Sequence, residues 1–268
     1  MNPGLETRLA RLRIPGSDAY LCIPMDHGIS VGPLPGIVDL PATLDAIARG
    51  GASCVVFHKG NARFIPPYAD KLGFILHLSA STSTNPDPND KVLVTTVEEA
   101  IAHGADAVST HTNFGSATES RQLVDLGHTI TDAHRYGIPV LAMAYPRGKD
   151  IKDPYRADLL ALAARAAGEC GADLVKVPYS GNVDSFRDVV KGCPVPILIA
   201  GGPHMDDDKR LLEIVAGATE AGAKGVSIGR NVFQHRHPDR IVAALRAILV
   251  DGEDAREAGR HLTQPLPA

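Results

Sequence analysis

Lys176 stands inside a short apolar run, Leu174-Val175-Lys176-Val177-Pro178. An ammonium group buried there without a partner is costly. Desolvation and a neighbouring cation disfavour the charged form of an amine, which makes a lysine a nucleophile able to form a Schiff base with a ketone. The plainer alternative is a lysine that reaches the rim or sits in a structural ion pair. Two more groups follow apolar runs. Asp26, in Asp26-His27-Gly28, offers a carboxylate for acid, base or orienting work, or else a simple loop cap. Tyr145, in Tyr145-Pro146-Arg147-Gly148, can donate or pass a proton, and Arg147 can hold an anion. A core-edge tyrosine beside a surface arginine is the competing reading.

Glycine-rich turns follow two later runs. Gly201-Gly202-Pro203 comes after 196–200, and Gly229-Arg230-Asn231 comes after 225–229 and opens a short helical stretch. Glycines let a backbone approach a phosphate closely, and arginine adds a charged fork. Either turn alone is weak, because glycine also makes ordinary tight turns. As a set, these residues describe a phosphorylated ketone held beside a lysine, a tyrosine and an aspartate. A Schiff base makes such a ketone an electron sink, so a carbon–carbon bond can form or break through an enamine.

The elements that must position these groups can be read from periodicity. Short, largely apolar runs at 20–25, 54–58, 74–79, 107–111, 139–144, 174–178, 196–200 and 225–229 predict eight parallel strands buried on both faces. Helical patterns lie between them, at 41–50, from Thr96 with Glu99 in capping-box spacing, and at 153–169, 207–221 and 238–249. Gly-Ala recurs at 51–52, 104–105, 171–172 and 222–223, each time between a helical pattern and a strand. Glycine suits the left-handed stop of a helix, and alanine allows close packing at the strand start. Eight strands with this alternate-strand repeat predict a single-domain (β/α)8 TIM barrel over residues 1–268, with a short N-terminal extension and a C-terminal tail. In such a barrel the candidate residues all fall at the C-terminal strand ends, where barrel enzymes do their chemistry. An open doubly wound sheet would want a G-x-G-x-x-G after the first strand, which is absent. The turn-rich stretch 80–92 reads either as a mobile lid or as an ordinary solvated loop.

Composition narrows the function class. The chain has 268 residues, with Lys+Arg 27 against Asp+Glu 31 and a net charge of −4. That balance argues against a nucleic-acid partner without excluding a local cationic pocket. No apolar run reaches the ~18 residues of a membrane span, and the first residues lack a signal peptide's apolar core. The four cysteines form no CxxC pair, as expected of free thiols in a cytoplasmic protein.

The stretches MDHGISVGP, AMAYPRGK, DLVKVPYSG, IAGGP and SIGRNVFQH, in this order, resemble the archaeal-type class I aldolases, the DhnA-type fructose-bisphosphate aldolase family, from about Tyr20 to His235. HLSASTSTNPDPNDK, YPRGK, VVKGCP and GRNVFQH are also similar to stretches of its 2-amino-3,7-dideoxy-D-threo-hept-6-ulosonate synthase branch. The resemblance implies Lys176 as the Schiff-base lysine, Tyr145 as proton donor and Asp26 as proton acceptor. It implies substrate contacts from His27, Gly28, Ile29, Ser30, Pro146 and Arg147, and a phosphate site at Gly201, Gly202, Gly229 and Arg230. It further implies transfer of a three-carbon ketone unit to L-aspartate semialdehyde. The donor is either a phosphorylated keto-sugar or dihydroxyacetone phosphate. No cofactor or metal is expected, and a homo-oligomer, up to a decamer, is. Ala144 is small where sugar-bisphosphate aldolases often carry a bulky residue, which fits a different acceptor. Four alternatives stay open: a class I fructose-bisphosphate aldolase, a thiolase on a phosphorylated diketone, a metal-dependent aldolase using His27, His58, His77 and His111, and a binding barrel without chemistry.

Overall fold

The computed structural model describes residues 2–264. Ten strands form in chain order: β1 (Tyr20–Pro24), β2 (Cys54–Phe57), β3 (Gly73–His77), β4 (Ser79–Ala80), β5 (Val92–Leu93), β6 (Ala107–Phe114), β7 (Val140–Pro146), β8 (Leu174–Pro178), β9 (Ile197–Ala200) and β10 (Gly225–Ser227). Eight of them close a parallel barrel in the order β1-β10-β9-β8-β7-β6-β3-β2, and β4 pairs with β5 as a small antiparallel hairpin. The helices are α1 (Pro3–Leu12), α2 (Gly28–Val31), α3 (Leu40–Gly50), α4 (Val97–Ala102), α5 (Glu119–Arg135), α6 (Ala157–Glu169), α7 (Val183–Gly192), α8 (Asp208–Glu220), α9 (Arg230–Phe233), α10 (Pro238–Arg246) and α11 (Ala255–Ala258). None of them is long and apolar enough to cross a membrane.

The two faces of each strand serve two cores. Val175 and Val177 of β8 pack outward with the helices, as do Val140, Ala142 and Ala144 of β7. Leu174 of β8 and Leu141, Met143 and Tyr145 of β7 point into the barrel, together with Tyr20, Cys22, Cys54, Val56, Ile75, Ala107 and Leu198. The period of two therefore sends every second residue inward. At the N-terminal end α1 plugs the barrel. Leu12 is fully buried in the inner core, and its carbonyl accepts from Ser53 Oγ at 2.7 Å.

The Gly-Ala repeat takes the expected form at all four sites. Gly51, Gly104, Gly171 and Gly222 have φ of 90°, 77°, 100° and 103°. In each case the following alanine N–H donates back to the helix: Ala52 to Ile47, Ala105 to Ala100, Ala172 to Ala167 and Ala223 to Ala218. This is a Schellman stop, and it feeds β2, β6, β8 and β10.

The details depart from expectation in four places. β6 runs to Phe114 and β7 to Pro146, so Tyr145 belongs to its strand rather than to the loop after it. The helix expected over 153–169 starts only at Ala157. Thr96 caps α4 by accepting from Glu99 N, but Glu99 does not complete the box, because its carboxylate takes Lys59 at 2.8 Å. Residues 80–92 are neither a free lid nor a bare loop: β4 and β5 close their base, and Ser83 N donates to Ser30 O at 2.8 Å.

Candidate active site

The strand period that builds the inner core also delivers the site. Counting in twos from the inner residues gives Asp26 after β1, His58 after β2, His77 on β3 and Ser109, His111 and Asn113 on β6. The same count gives Tyr145 and Arg147 from β7, Lys176 on β8, Ser227 on β10 and then Gly229. All of these except Ser109 and Asn113 line the cavity at the C-terminal mouth, and those two stand behind it against His77 and His111. A cavity of about 530 Å³ there is lined by Asp26, His58, His77, His111 and Lys91 among others. A narrower lobe of about 190 Å³ adjoins it, lined by Gly201, Gly202, Gly229 and Ser227. His27, Tyr145, Arg147, Lys176 and Arg230 line both lobes and stand at their junction.

Lys176 is only 6% exposed and sits in register between Met143 of β7 and Leu198 of β9. No carboxylate pairs with it among the described residues. The Tyr145 ring stacks on His111 at 4.8 Å between centroids, and the Arg147 guanidinium lies 4.3 Å from its centre. These two contacts hold the Tyr145 ring at the junction. Burial opposes ionisation of Asp26, but the positive charges that His77, His27, Lys176 and His58 can carry hold its carboxyl below the usual carboxylate range. His77 Nε2 is 3.9 Å from Asp26 Oδ2, and His77 Nδ1 meets Ser109 Oγ at 2.8 Å. Burial pushes His77 down to about 3, so its imidazole is neutral at ordinary pH. His27, His58 and His111 are lowered as well, in each case chiefly by burial. The mouth thus presents a carboxylate among neutral imidazoles.

The narrow lobe is built from the two glycine turns. Asn231 Nδ2 donates to Gly201 O (2.8 Å) and Pro203 O (3.0 Å), and its Oδ1 accepts from Met205 N. Arg230 Nη2 donates to Gly202 O at 3.0 Å, tying the turns together, while its buried Nε has no partner. Ser227 Oγ, also buried, has none either. A Cβ on Gly229 would stand 2.5 Å from Pro24 O and one on Gly201 2.6 Å from Ile228 Cγ2, so both positions require glycine. Unsatisfied donors beside a glycine-lined wall are what a phosphate would fill.

Several expected contacts are not on the walls. Gly28 and Pro146 line neither lobe, and Ile29 is exposed at 39%, whereas Ser30 lines the wide lobe. Ala144 faces the helices, so its size does not shape the cavity. Among the described residues, one ligand atom each from Asp26, His58 and His77 falls within 4.8 Å of the others. That group is smaller than the four-histidine convergence considered from the sequence, since His27 and His111 lie outside it. Sequence reasoning missed Ser109 and Ser227, which carry no signal until the barrel sets their neighbours, and it quoted Asn231 only as part of the Gly229 turn, without a role. It also missed Lys91, for which no period exists.

The sequence model of the DeoC/LacD family aldolases matches residues 20–235. The chain is 44% identical over 252 residues to a 2-amino-3,7-dideoxy-D-threo-hept-6-ulosonate synthase of Halobacterium salinarum, covering 94% of each chain. It is 40% identical over 254 residues to a 2-amino-4,5-dihydroxy-6-oxo-7-(phosphonooxy)heptanoate synthase of Streptomyces griseus, covering 94% of this chain and 92% of that one. A solved Schiff-base-forming fructose-1,6-bisphosphate aldolase superposes with a TM-score of 0.85 at 31% identity, covering 91% of this chain and 99% of that chain. With matches that run almost end to end in sequence and in fold, the chain belongs to the DeoC/LacD family of aldolases and is an enzyme of the class I, Schiff-base type.

Proposed function

We propose that the chain transfers a three-carbon ketone unit, from a phosphorylated keto-sugar or from dihydroxyacetone phosphate, to L-aspartate semialdehyde through a Schiff base on Lys176. The observation that carries this reading is Lys176 itself: a buried amine without a carboxylate partner, at the junction of a glycine-lined lobe and a wider cavity. The Lys176 amine attacks the donor's carbonyl carbon, and the carbinolamine loses water to give an iminium. Loss of a proton from the neighbouring carbon, or of an aldehyde when a keto-sugar is the donor, gives the enamine. The enamine carbon attacks the aldehyde of the acceptor, whose oxygen takes a proton, and water releases the product from Lys176. Tyr145 is the proposed proton donor and Asp26 the acceptor. Gly201, Gly202, Gly229 and Arg230 hold the donor's phosphate, and His27, Ser30 and Arg147 contact the substrate. The reading requires no cofactor or metal. A homo-oligomer is its proposed assembly, checked by mass in solution.

The names of the two curated relatives describe seven-carbon amino keto acids as products, one 7-deoxy and one with a 7-phosphonooxy group, which supports an amino-acid aldehyde as acceptor and leaves two donors to distinguish. Borohydride reduction with dihydroxyacetone phosphate alone, followed by peptide mass, decides between them. An adduct on Lys176 supports the direct aldolase. Labelling only by a phosphorylated keto-sugar supports the transaldolase. Labelling by neither, or loss of turnover in a chelator, sinks the reading in favour of a metal-dependent enzyme at Asp26, His58 and His77. The solved neighbours favour a second reading, a class I fructose-bisphosphate aldolase. It requires faster turnover with glyceraldehyde 3-phosphate than with aspartate semialdehyde.

A further inference from the structure

The cavity carries more positive charge than one phosphate needs. Lys91, Arg147, Lys176 and Arg230 line its two lobes, and Asp26 is the only carboxylate on those walls. Arg230 belongs to the phosphate end and Lys176 to the chemistry. Arg147 stands at the junction, over Tyr145. Lys91 lines the wide lobe alone, away from the glycine turns.

Lys91 is not a lysine waving from a loop. Its Nζ donates to Ser81 Oγ at 2.5 Å, and Ser81 Oγ donates on to Pro88 O at 2.7 Å. The segment that carries it is pinned from three sides. Ser83 N bonds Ser30 O at 2.8 Å, and Val94 N bonds Leu78 O at 2.8 Å. Asn89 O accepts from both Asn113 Nδ2 and Gln122 Nε2, at 2.8 and 2.7 Å. An ammonium has three donors, and Ser81 occupies one of them. Burial first, and then the charge of Arg147, work against the protonated form of Lys91. No carboxylate of the described chain pairs with either cation. A fixed amine with spare donors, facing a cavity beside a second cation, is preorganised for an anion. The wide end has no glycine turn of the kind that lines the phosphate lobe, so its donors suit a small planar acid.

We propose that Lys91, with Arg147 at the junction, forms a carboxylate-binding site that holds the acceptor aldehyde by its acid end, opposite the donor's phosphate. The inference rests on the reading of Lys176 as the donor's Schiff-base residue. It adds what selects the acceptor: an aldehyde bearing a carboxylate.

The test compares wild type, Lys91→Met and Lys91→Arg with three acceptors, L-aspartate semialdehyde, butanal and glyceraldehyde 3-phosphate. Borohydride trapping of the donor on Lys176 is measured alongside. For Lys91→Met, kcat/KM with aspartate semialdehyde is expected to fall about 10- to 100-fold, the worth of a hydrogen bond to a charged group. The loss should appear mainly in KM, with butanal changed far less, and Lys91→Arg should recover part of it. An equal loss with butanal, or no loss at all, overturns the proposal. So does a Lys91 dependence that is stronger for glyceraldehyde 3-phosphate, because the anion held there would then be a phosphate. Trapping separates the two levels of failure. If donor labelling persists in all three proteins while acceptor selectivity is unmoved, only the carboxylate site fails. If wild type itself is never labelled, the Schiff-base reading fails and this inference goes with it.

Discussion

Tyr145→Phe is the sharpest single-atom test of the proposed proton donor. The ring would keep its stack on His111 and its cover from Arg147, so only the hydroxyl is lost. Turnover is expected to fall about 10²- to 10⁴-fold, the usual worth of a positioned acid or base, with KM changing much less. Steady-state kinetics on the variant checks this, and a loss confined to KM would make Tyr145 a binding residue instead. A second residue-scale expectation comes from His77. An unfolded histidine takes up its proton at about pH 6.5, whereas folded His77 does so only at about 3. Between those values the unfolded chain binds more protons, so stability falls as pH falls, by about 1.4 kcal/mol per pH unit for this one group. His27, His58 and His111 are displaced in the same direction and steepen the loss. Asp26, lowered in the fold, adds its share only below the ordinary carboxylate value. Urea midpoints between pH 7 and pH 4 should show this slope, and His77→Gln should flatten it; an identical slope in the variant would mean that His77 is not held neutral. Lys176, Tyr145 and Asp26 were legible as chemistry because each interrupts or ends an apolar run. Ser109 was not, because a serine inside a strand carries no signal until its neighbour across the sheet is known to be His77.

At the scale of elements, the helix stops can be tested without disturbing any packing. Gly104 has φ of 77°, and a Cβ built on it meets nothing within 4 Å. Gly104→Ala therefore isolates the backbone term, and about 1–2 kcal/mol of destabilisation is expected from the left-handed conformation alone. Denaturant titration should show a lower midpoint at unchanged slope; no shift would mean that the Schellman stop relaxes freely. The Gly-Ala repeat was readable because a left-handed stop leaves a chemical requirement at a fixed place. α5 and the β4–β5 hairpin left none. α5 carries Gly127 and three residues of weak helix propensity in Thr129, Thr131 and Asp132, and it is held by packing of Leu126, Ile130 and Ala133 against the barrel. α7 is only ten residues long, and its signals, the Asn182 cap that accepts from Ser185 N and a face buried at Phe186 and Val189, were there but went unused. The β4–β5 hairpin spans just two residues per strand, below what a period of two can reveal, and its order comes from distant partners such as Gln122 and Asn113. Lys91 was hidden for the same reason, since its place depends on contacts made from α2, β6 and α5 to a segment with no pattern of its own.

Taken as one electrostatic object, the molecule opposes its own net charge at the mouth. The chain carries −4 overall, yet four cations and one carboxylate line the cavity. Composition alone could exclude a basic surface but could not show this pocket, because the four side chains come from four separate stretches that meet only when the barrel closes. A concave wall of one sign focuses its field and raises the local concentration of oppositely charged substrate. The surrounding negative surface does the reverse at long range. Salt separates the two contributions, because at 0.1 M the screening length is about 10 Å, shorter than the molecule but comparable to the cavity. For a doubly anionic donor such as dihydroxyacetone phosphate, kcat/KM should therefore fall as sodium chloride rises from about 0.02 to 0.5 M, the range over which screening closes to within the cavity. With the donor saturating and butanal as acceptor, the rate should be nearly flat over the same range, because neither the bound enamine nor the aldehyde must be drawn in. Arg230→Gln should weaken the salt dependence for the donor by removing one of the charges that attracts it. A donor rate that rises with salt would show that the outer −4 surface, and not the cationic mouth, governs approach to Lys176.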